Sequence, residues 1–403
     1  MYKNEGKYCS HCDPYEESPR HFLEKMGNVG IVRLVSRPVH FIESRYISII
    51  DKLSNHIEHS LLHMLLMIRI MGQRKIVETD KISNRTMVLL HEAKNRGLDV
   101  SVLTFFGLTS SIFSITFSNR KIYFKILPCN KRLFNFDDKY EFKKVLSKNG
   151  IPNPSGKSFV NYDQAVDYVI EKINFPVVVK PLSGSLSKHT TVGVASREEL
   201  RRAVAISQIL KKDFVVERFI SGDIYRITVV GGKFVASCMR EAPNIIGDGK
   251  HDIAELIELK NADAKRGDID QNSFTLHKID LTKSTLAFLD EQGISLNTVP
   301  LSNRKIYLNK KITLATGADI HDVTHITHVD NVEMFERIAH LCGADLIGID
   351  FICPDISQSW KHQVCGVIEA NSLPYIDMHH VPSTGVSRNV SGAILDLLQN
   401  RDG

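Results

Sequence analysis

The sequence predicts an α+β protein in three parts, and three observations carry that reading. From residue 137 onward capped helices alternate with short apolar strand runs, a smaller helix, strand, turn, strand pattern lies between Val88 and Leu127, and residues 1 to about 70 show little strand patterning. The expected boundaries are 1–70 for a helical or irregular leader, 71–135 for a small α/β domain and 136–403 for the main region, a division that 403 residues can accommodate.

In the leader, Ile57 to Ile70 places apolar residues at helical spacing. In the small domain LLHEAKNRG reads as a helix stopped by Gly97, DVSVLTF as a strand, and SNRKIYFKI as another. The main region opens with DDKYEFKKVLSKNG, a helix that Asp137 or Asp138 can cap and Gly150 can end. NYDQAVDYVIEKI starts with Asn161 and Gln164 at capping-box spacing, and Ser196 with Glu199 repeats that spacing. FPVVVKPL reads as a buried strand bounded by Pro176 and Pro181. Residues 214–220 and 224–230 read as two strands joined by SGD.

Composition excludes several classes. With 43% hydrophobic and 24% charged side chains the chain is neither disordered nor fibrous. A formal charge of +5 is too small for the length to argue a nucleic-acid partner, and the basic excess, confined to the first 135 residues, reads as a solvated face. The longest apolar stretch, Leu61 to Met71, is interrupted by His63 and Arg69, so no membrane span is expected. Seven scattered cysteines do not look like a disulfide framework, and a cytoplasmic setting is the expectation.

The chemistry concentrates near the end. Asp350 sits in the apolar run LIGIDFICPDIS, and Glu369 and Asn371 close the run VCGVIEANSLP. An antiparallel pairing of the two would bring three oxygen ligands together, a donor set that suits Mg²⁺. Taken alone these read more readily as strand-end polar residues in ordinary loops. Lys180 ends the strand VVVK before PLSGSLSKHTTVG, where Gly184, Ser185 and Ser187 can let backbone amides approach a polyphosphate.

From Asp137 to about Leu398 the sequence resembles the ATP-grasp carboxylate–amine ligases, specifically the ATP-grasp module of cyanophycin synthetases and of bifunctional glutathione synthetases. The resemblance runs in order through DDKYEFKKVL, FPVVVKPLSG, VVERFISG, IIGDGKHDIAELI, GIDFICPDIS and VIEANSLPYIDMHHVPSTGVSRNV. It implies an ATP-grasp fold, two α/β subdomains gripping ATP, preceded by a pre-ATP-grasp-like domain over 71–135. It also implies ATP and two Mg²⁺ ions as cofactors and small carboxylate and amine substrates, amino acids or short peptides among them, while self-association stays open.

The implied roles fall on named positions. Lys139 and Lys180 would hold the phosphates, with Ser185 in the loop over them; Glu217 and the backbone of Phe219 and Ile220 would receive the adenine. Asp350, Glu369 and Asn371 would hold the ions. Arg226 and Arg240 would stabilise charge on an acyl phosphate, and Arg388 would meet the carboxylate substrate. Two departures stand out. SKHTTVGV replaces a glycine-paired phosphate loop, which turns attention to Lys188 and His189, and Ile224 occupies the usual acidic ribose position, leaving its neighbour Asp223 as substitute. Cyanophycin synthetases continue into a Mur-ligase-like half, and the sequence at hand stops at Gly403, so addition of two alternating residues is not expected.

Two clusters are set aside. Cys9, His11 and Cys12 lack a second ligand pair for zinc, and His321, His325 and His328 read as a solvated loop; His379 or His380, after the metal strand, is placed to touch substrate. An amide-forming ligase is therefore the expectation, with an ATP-grasp kinase acting on a hydroxyl, or an inactive nucleotide-binding module, as the alternatives.

Overall fold

A computed structural model describes residues 71–400 except 78–81, 106–107, 119, 130, 183–188, 210–211, 270 and 272. The expected leader helix, the Cys9–Cys12 pair, Ser185 and Lys188 lie outside the described residues.

The first sheet is an antiparallel meander of β1 (Met71–Lys75), β2 (Asp99–Phe105), β3 (Leu108–Thr116) and β4 (Lys121–Phe124), joined after β1 by helix α1 (Asn84–Asn95). Gly97, at φ 74°, turns the chain from α1 into β2, a left-handed conformation that glycine adopts at little cost. Sequence patterning finds α1, β2 and β4 but misses β1 and β3. Of the five residues of β1 only Met71 is buried, and β3 carries serines where an apolar residue is expected; the buried Ser114 satisfies itself by a 2.7 Å hydroxyl bond to Ser101 on the neighbouring strand.

The second sheet holds α2 (Lys139–Lys148), β5 (Gly156–Phe159), α3 (Tyr162–Tyr168), β6 (Val177–Pro181), β7 (Thr191–Val194), α4 (Arg197–Gln208) and β8 (Phe214–Arg218) in its segment, with strand order β5-β8-β6-β7. Asp138, not Asp137, caps α2 by accepting from the amides of Tyr140 and Glu141. Asn161 caps α3 and Ser196 caps α4, as the spacing predicts. Val177, Val179, Phe214 and Val216 meet Ala165, Leu200 and Val204 in a closed core.

After β9 (Asp223–Val230) and β10 (Lys233–Glu241) comes an excursion. It comprises β11 (Asn244–Ile246), α5 (Ile253–Asn261), the two-residue strands β12 (Arg266–Gly267) and β13 (Leu276–His277), α6 (Lys283–Glu291) and β14 (Lys305–Tyr307), with a core of its own around Ile253, Ile257, Leu289 and Ile306. Asp252 and Glu255 form a complete capping box at the start of α5. The chain returns through β15 (Asp319–Asp322), α7 (Val329–Cys342), β16 (Leu346–Cys353), β17 (Gly366–Asn371), α8 (Asp377–His380) and α9 (Val390–Gln399).

The largest sheet, ordered β15-β10-β9-β16-β17, sets up everything that follows. Side chains alternate between its faces. Tyr225, Ile227, Val229, Ile347, Ile349 and Phe351 point to one side and pack against Met334, Phe335 and Ile338 of α7. The residues between them point to the other side, where the chemistry lies. At the end of this sheet α9 packs Val390, Ile394, Leu395 and Leu398 into the same apolar cluster as Leu89, Leu90 and Ala93 of α1. An Arg96–Asp396 pair at 2.5 Å reinforces that contact. Among the described residues no helix is long and apolar enough to cross a membrane.

Candidate active site

The register of the large sheet places the predicted residues on one face. Asp350 is opposite Arg226 on one side and Glu369 on the other, Arg226 is opposite Cys238, and Arg240 and Asn371 each follow two residues along their strands, so all five share the face opposite α7. The antiparallel pairing expected of Asp350 and Glu369 is present. Asp350 is 4% exposed; its two carboxylate oxygens receive Arg226 Nε at 2.5 Å and Arg240 Nη2 at 3.2 Å. Burial pushes the Asp350 carboxyl up, but these two guanidinium charges outweigh it and hold the group below the usual carboxylate range. The Arg226 Nη1, Arg240 Nε and Asn371 Nδ2 atoms are buried without a hydrogen-bond partner. Unmade bonds of this kind cost a free protein stability, and they concentrate where a ligand completes them.

The start of α2 reaches the same face. Lys139 Nζ lies 3.2 Å from Glu369 Oε2, and Asp137, which sequence reasoning reads only as a cap, accepts from the amide and hydroxyl of Ser372 at 2.8 and 2.6 Å. Asp137 thus ties the helix entry to the residue immediately after Asn371.

On the second sheet Glu217 and Lys180 project from neighbouring strands, and their side chains meet at 2.8 Å with Glu217 only 3% exposed. Lys143 pairs with the other Glu217 oxygen. It is a site residue that sequence reasoning missed. The available signal was helical spacing, because Lys143 lies one turn after Lys139 on the same face of α2. Burial draws the Lys143 ammonium down to about 8, and the positive charge of Lys180 adds to that effect against the pull of Glu217. Glu217 is held below its ordinary value by Lys180 and Lys143 despite its burial.

Other predicted residues are placed differently. The Phe219 amide donates to the Pro176 carbonyl at 3.1 Å and Ile220 is buried at the end of β8. Asp223 is exposed at the start of β9; burial and the nearby Glu241 charge raise its pKa, against Lys305. Its charged neighbours are therefore Glu241 and Lys305. Arg388 is clasped by Asp322 on β15 through three contacts of 3.1, 3.1 and 2.7 Å. His189 is 1% exposed and bonded to the Ile206 carbonyl at 2.8 Å.

The histidines divide. His328 caps α7 by accepting from the Asp330 amide, and His321 bridges Thr384 and Glu241. Glu241, Asp319 and His321 come close enough to hold a metal, but Lys305 and Tyr307 already bond Glu241, and Lys260 and Arg266 already bond Asp319. That cluster is charge-neutralised by the protein itself. His379 is buried and bonded to Thr228 Oγ1 at 2.8 Å, two residues past Arg226 on β9, with burial first and the Arg226 charge second drawing it down to about 3.

Comparison with known proteins accords with this arrangement. Residues 136–251 match the RimK-like ATP-grasp domain. The chain is 34% identical over 263 residues to cyanophycin synthetase of Crocosphaera subtropica, covering 65% of this chain and 30% of that protein. It is 29% identical over 337 residues to the bifunctional glutathione biosynthesis protein of Clostridium perfringens, covering 81% and 42%. The crystal structure of a bifunctional glutathione synthetase from Pasteurella multocida superposes with a TM-score of 0.63 at 28% identity, over 80% of this chain and 44% of that one. The chain thus spans less than half the length of these relatives. Sheet architecture, site face and sequence similarity lead to one assignment: the chain has the ATP-grasp fold, and its residues 136–251 carry a RimK-like ATP-grasp domain.

Proposed function

We propose that the chain is an ATP- and Mg²⁺-dependent carboxylate–amine ligase that forms an amide through an acyl phosphate and releases ADP and phosphate. The observation that carries the reading is the single sheet face on which Arg226, Arg240, Asp350, Glu369 and Asn371 converge, with Lys139 at its edge. The relatives named cyanophycin synthetase and glutathione synthetase support the same reaction class.

A carboxylate resists amines because its leaving group would be oxide. Transfer of the γ-phosphoryl group to the carboxylate makes phosphate the leaving group, and the amine then displaces it. Charge placement and positioning do most of this work, and no protein nucleophile is needed. Lys139 and Lys180 are assigned to the phosphates, with Ser185 in the loop beyond β6. The adenine is assigned to the pocket of Glu217 and the backbone of Phe219 and Ile220, and Asp223 to the ribose. Arg226 and Arg240 face the transferring group, and Arg388 the carboxylate substrate, which it would reach by sharing its contact with Asp322.

The donor set fits Mg²⁺. Asp350, Glu369 and the Asn371 amide oxygen are hard ligands on one face, and the unpartnered Asn371 nitrogen marks a side chain not yet committed to the protein. Two ions are assigned to these three residues. Bound there, Mg²⁺ supplies neutralisation of the phosphate charge. Small amino acids or short peptides are the proposed substrates. A cytoplasmic location is part of the reading, supported by the free thiols of the buried Cys129, Cys238, Cys342, Cys353 and Cys365.

The test is hydroxylamine trapping. With ATP, Mg²⁺ and a stimulating carboxylate, hydroxylamine should yield a hydroxamate together with ADP and inorganic phosphate. Release of AMP, or ADP formation without a hydroxamate from any stimulating carboxylate, rejects the acyl phosphate and favours a kinase acting on a hydroxyl.

A further inference from the structure

The sheet of β5 to β8 pairs two residues that the ligase reading assigns to opposite ends of one nucleotide. Lys180, which is to hold the phosphates, lies 2.8 Å from an oxygen of Glu217, which is to receive the adenine. Lys143 of α2 takes the other Glu217 oxygen, and its ammonium also donates to the Pro154 carbonyl at 3.3 Å. Two ammonium groups thus meet one carboxylate that is 3% exposed. Tyr168 of α3 is close enough for the Glu217 charge to add to the burial that raises its pKa.

Burial alone would push the Glu217 carboxyl up, and the two lysines together hold it down, Lys180 first and Lys143 next. When Lys180 turns to the phosphates, its share is withdrawn from Glu217. With no second lysine the buried carboxyl would then take up a proton, because an uncompensated charge in an apolar place neutralises itself by shifting its pKa. The protonation state decides what Glu217 can recognise. An ionised carboxylate only accepts hydrogen bonds and suits the 6-amino group of adenine, whereas a protonated one also donates and serves the 6-oxo group of guanine as well. Lys143 is placed to prevent that change. It is fastened to Glu217 and to the Pro154 carbonyl from a helix separate from the strand of Lys180, so a shift of Lys180 does not dislodge it.

We propose, on the basis of the nucleotide assignment above, that Lys143 is a positioning residue for base selection: it keeps Glu217 ionised while Lys180 serves the phosphates, and thereby favours a 6-aminopurine over a 6-oxopurine nucleotide. Lys143 acts through Glu217 and contacts neither base nor phosphate. The charge count accords with this division, since one lysine balances the carboxylate and the other is the surplus that an anion calls for. The two are not interchangeable. Lys180 lies beside the end of β6, where the chain enters the loop assigned to the phosphates, and Lys143 lies within α2. Even with its pKa drawn down to about 8, Lys143 is mainly charged at pH 7.

The experiment titrates the full chain at pH 7 with the β,γ-imido analogues of ATP and GTP in the presence of Mg²⁺, read by calorimetry, for the parent, Lys143→Met and Lys143→Arg. The parent should bind the adenine analogue more tightly, by about tenfold or more. Lys143→Met should weaken the adenine analogue about tenfold to a hundredfold and the guanine analogue far less, so that the discrimination narrows. Lys143→Arg, which keeps the charge, should restore it. A general loss of positive charge lowers both affinities alike, so an equal fall in the two overturns the proposal. Unchanged discrimination in Lys143→Met, or a parent that does not discriminate, overturns it as well. Thermal melting checks folding; should Lys143→Met not fold, Lys143→Gln, which keeps a donor without the charge, takes its place under the same expectations. Hydroxylamine trapping judges ligation separately, so a hydroxamate together with equal losses removes Lys143 from base selection and leaves the ligase reading standing. A parent that binds neither analogue overturns the nucleotide assignment and the proposal with it.

Discussion

Lys180 Nζ sits 2.8 Å from Glu217 Oε2 while Lys143 takes the other oxygen, so one buried carboxylate pairs with two lysines from different elements. Removing one partner from a buried ionic group leaves uncompensated charge, which costs about 3–5 kcal/mol. Glu217→Gln should therefore destabilise the fold by roughly that amount in urea unfolding. Adding Lys143→Met should restore part of the loss, a non-additivity that a double-mutant cycle reads directly. A Glu217→Gln cost below about 1 kcal/mol means that the triad is open to solvent.

Glu369→Ala and Asn371→Ala should abolish Mg²⁺-dependent turnover while leaving the melting temperature close to that of the parent. Both side chains lie on the strand face turned away from α7, and neither belongs to the apolar core. Normal turnover by either variant removes it from the metal set.

Lys139→Ala and Lys180→Ala should each weaken ATP binding about tenfold to a hundredfold, the effect of losing a charge-assisted contact of roughly 1.5–3 kcal/mol. Calorimetric titration with a non-hydrolysable ATP analogue measures it. Lys180→Ala should also lower stability, because Glu217 loses a partner, whereas Lys139 pairs with the half-exposed Glu369 and its loss should not. Unchanged affinity in both places the phosphates elsewhere.

His379 makes stability depend on pH. Its folded pKa is about 3 and that of an unfolded histidine about 6.5, so between these values the unfolded chain binds a proton that the folded chain refuses. Its contribution is therefore complete above pH 6.5 and is lost as pH falls toward 3, at up to about 1.4 kcal/mol per unit. The stability advantage of the parent over His379→Gln should shrink by about 2 kcal/mol between pH 7 and pH 5. An advantage constant over that range means that His379 titrates normally.

The sequence disclosed what depends on local rules and on spacing. Asp138, Asn161 and Ser196 cap helices where capping signals predict them, and Asp350 and Glu369 are legible as a pair because each is a polar interruption in an apolar strand. Partners chosen by the tertiary fold were not legible. Nothing local to Asp322 points to Arg388, sixty-six residues away, and Asp137 gives no sign of reaching Ser372. Strands β1 and β3 escaped because short edge pairing and a buried serine pair replace the apolar alternation that marks a strand.

The contact between α1 and α9 joins the beginning of the described fold to its end, and this bears on how the protein is made. The ribosome delivers the N-terminal sheet first, yet the apolar side of α1 formed by Leu89, Leu90 and Ala93 is completed by Val390, Ile394 and Leu395, which emerge about three hundred residues later. At roughly 5–20 residues per second that surface stays uncovered for tens of seconds. During that interval it offers nascent-chain chaperones a landing place, and a ribosome that stalls before α9 leaves a sheet with a greasy flank and nothing to cover it.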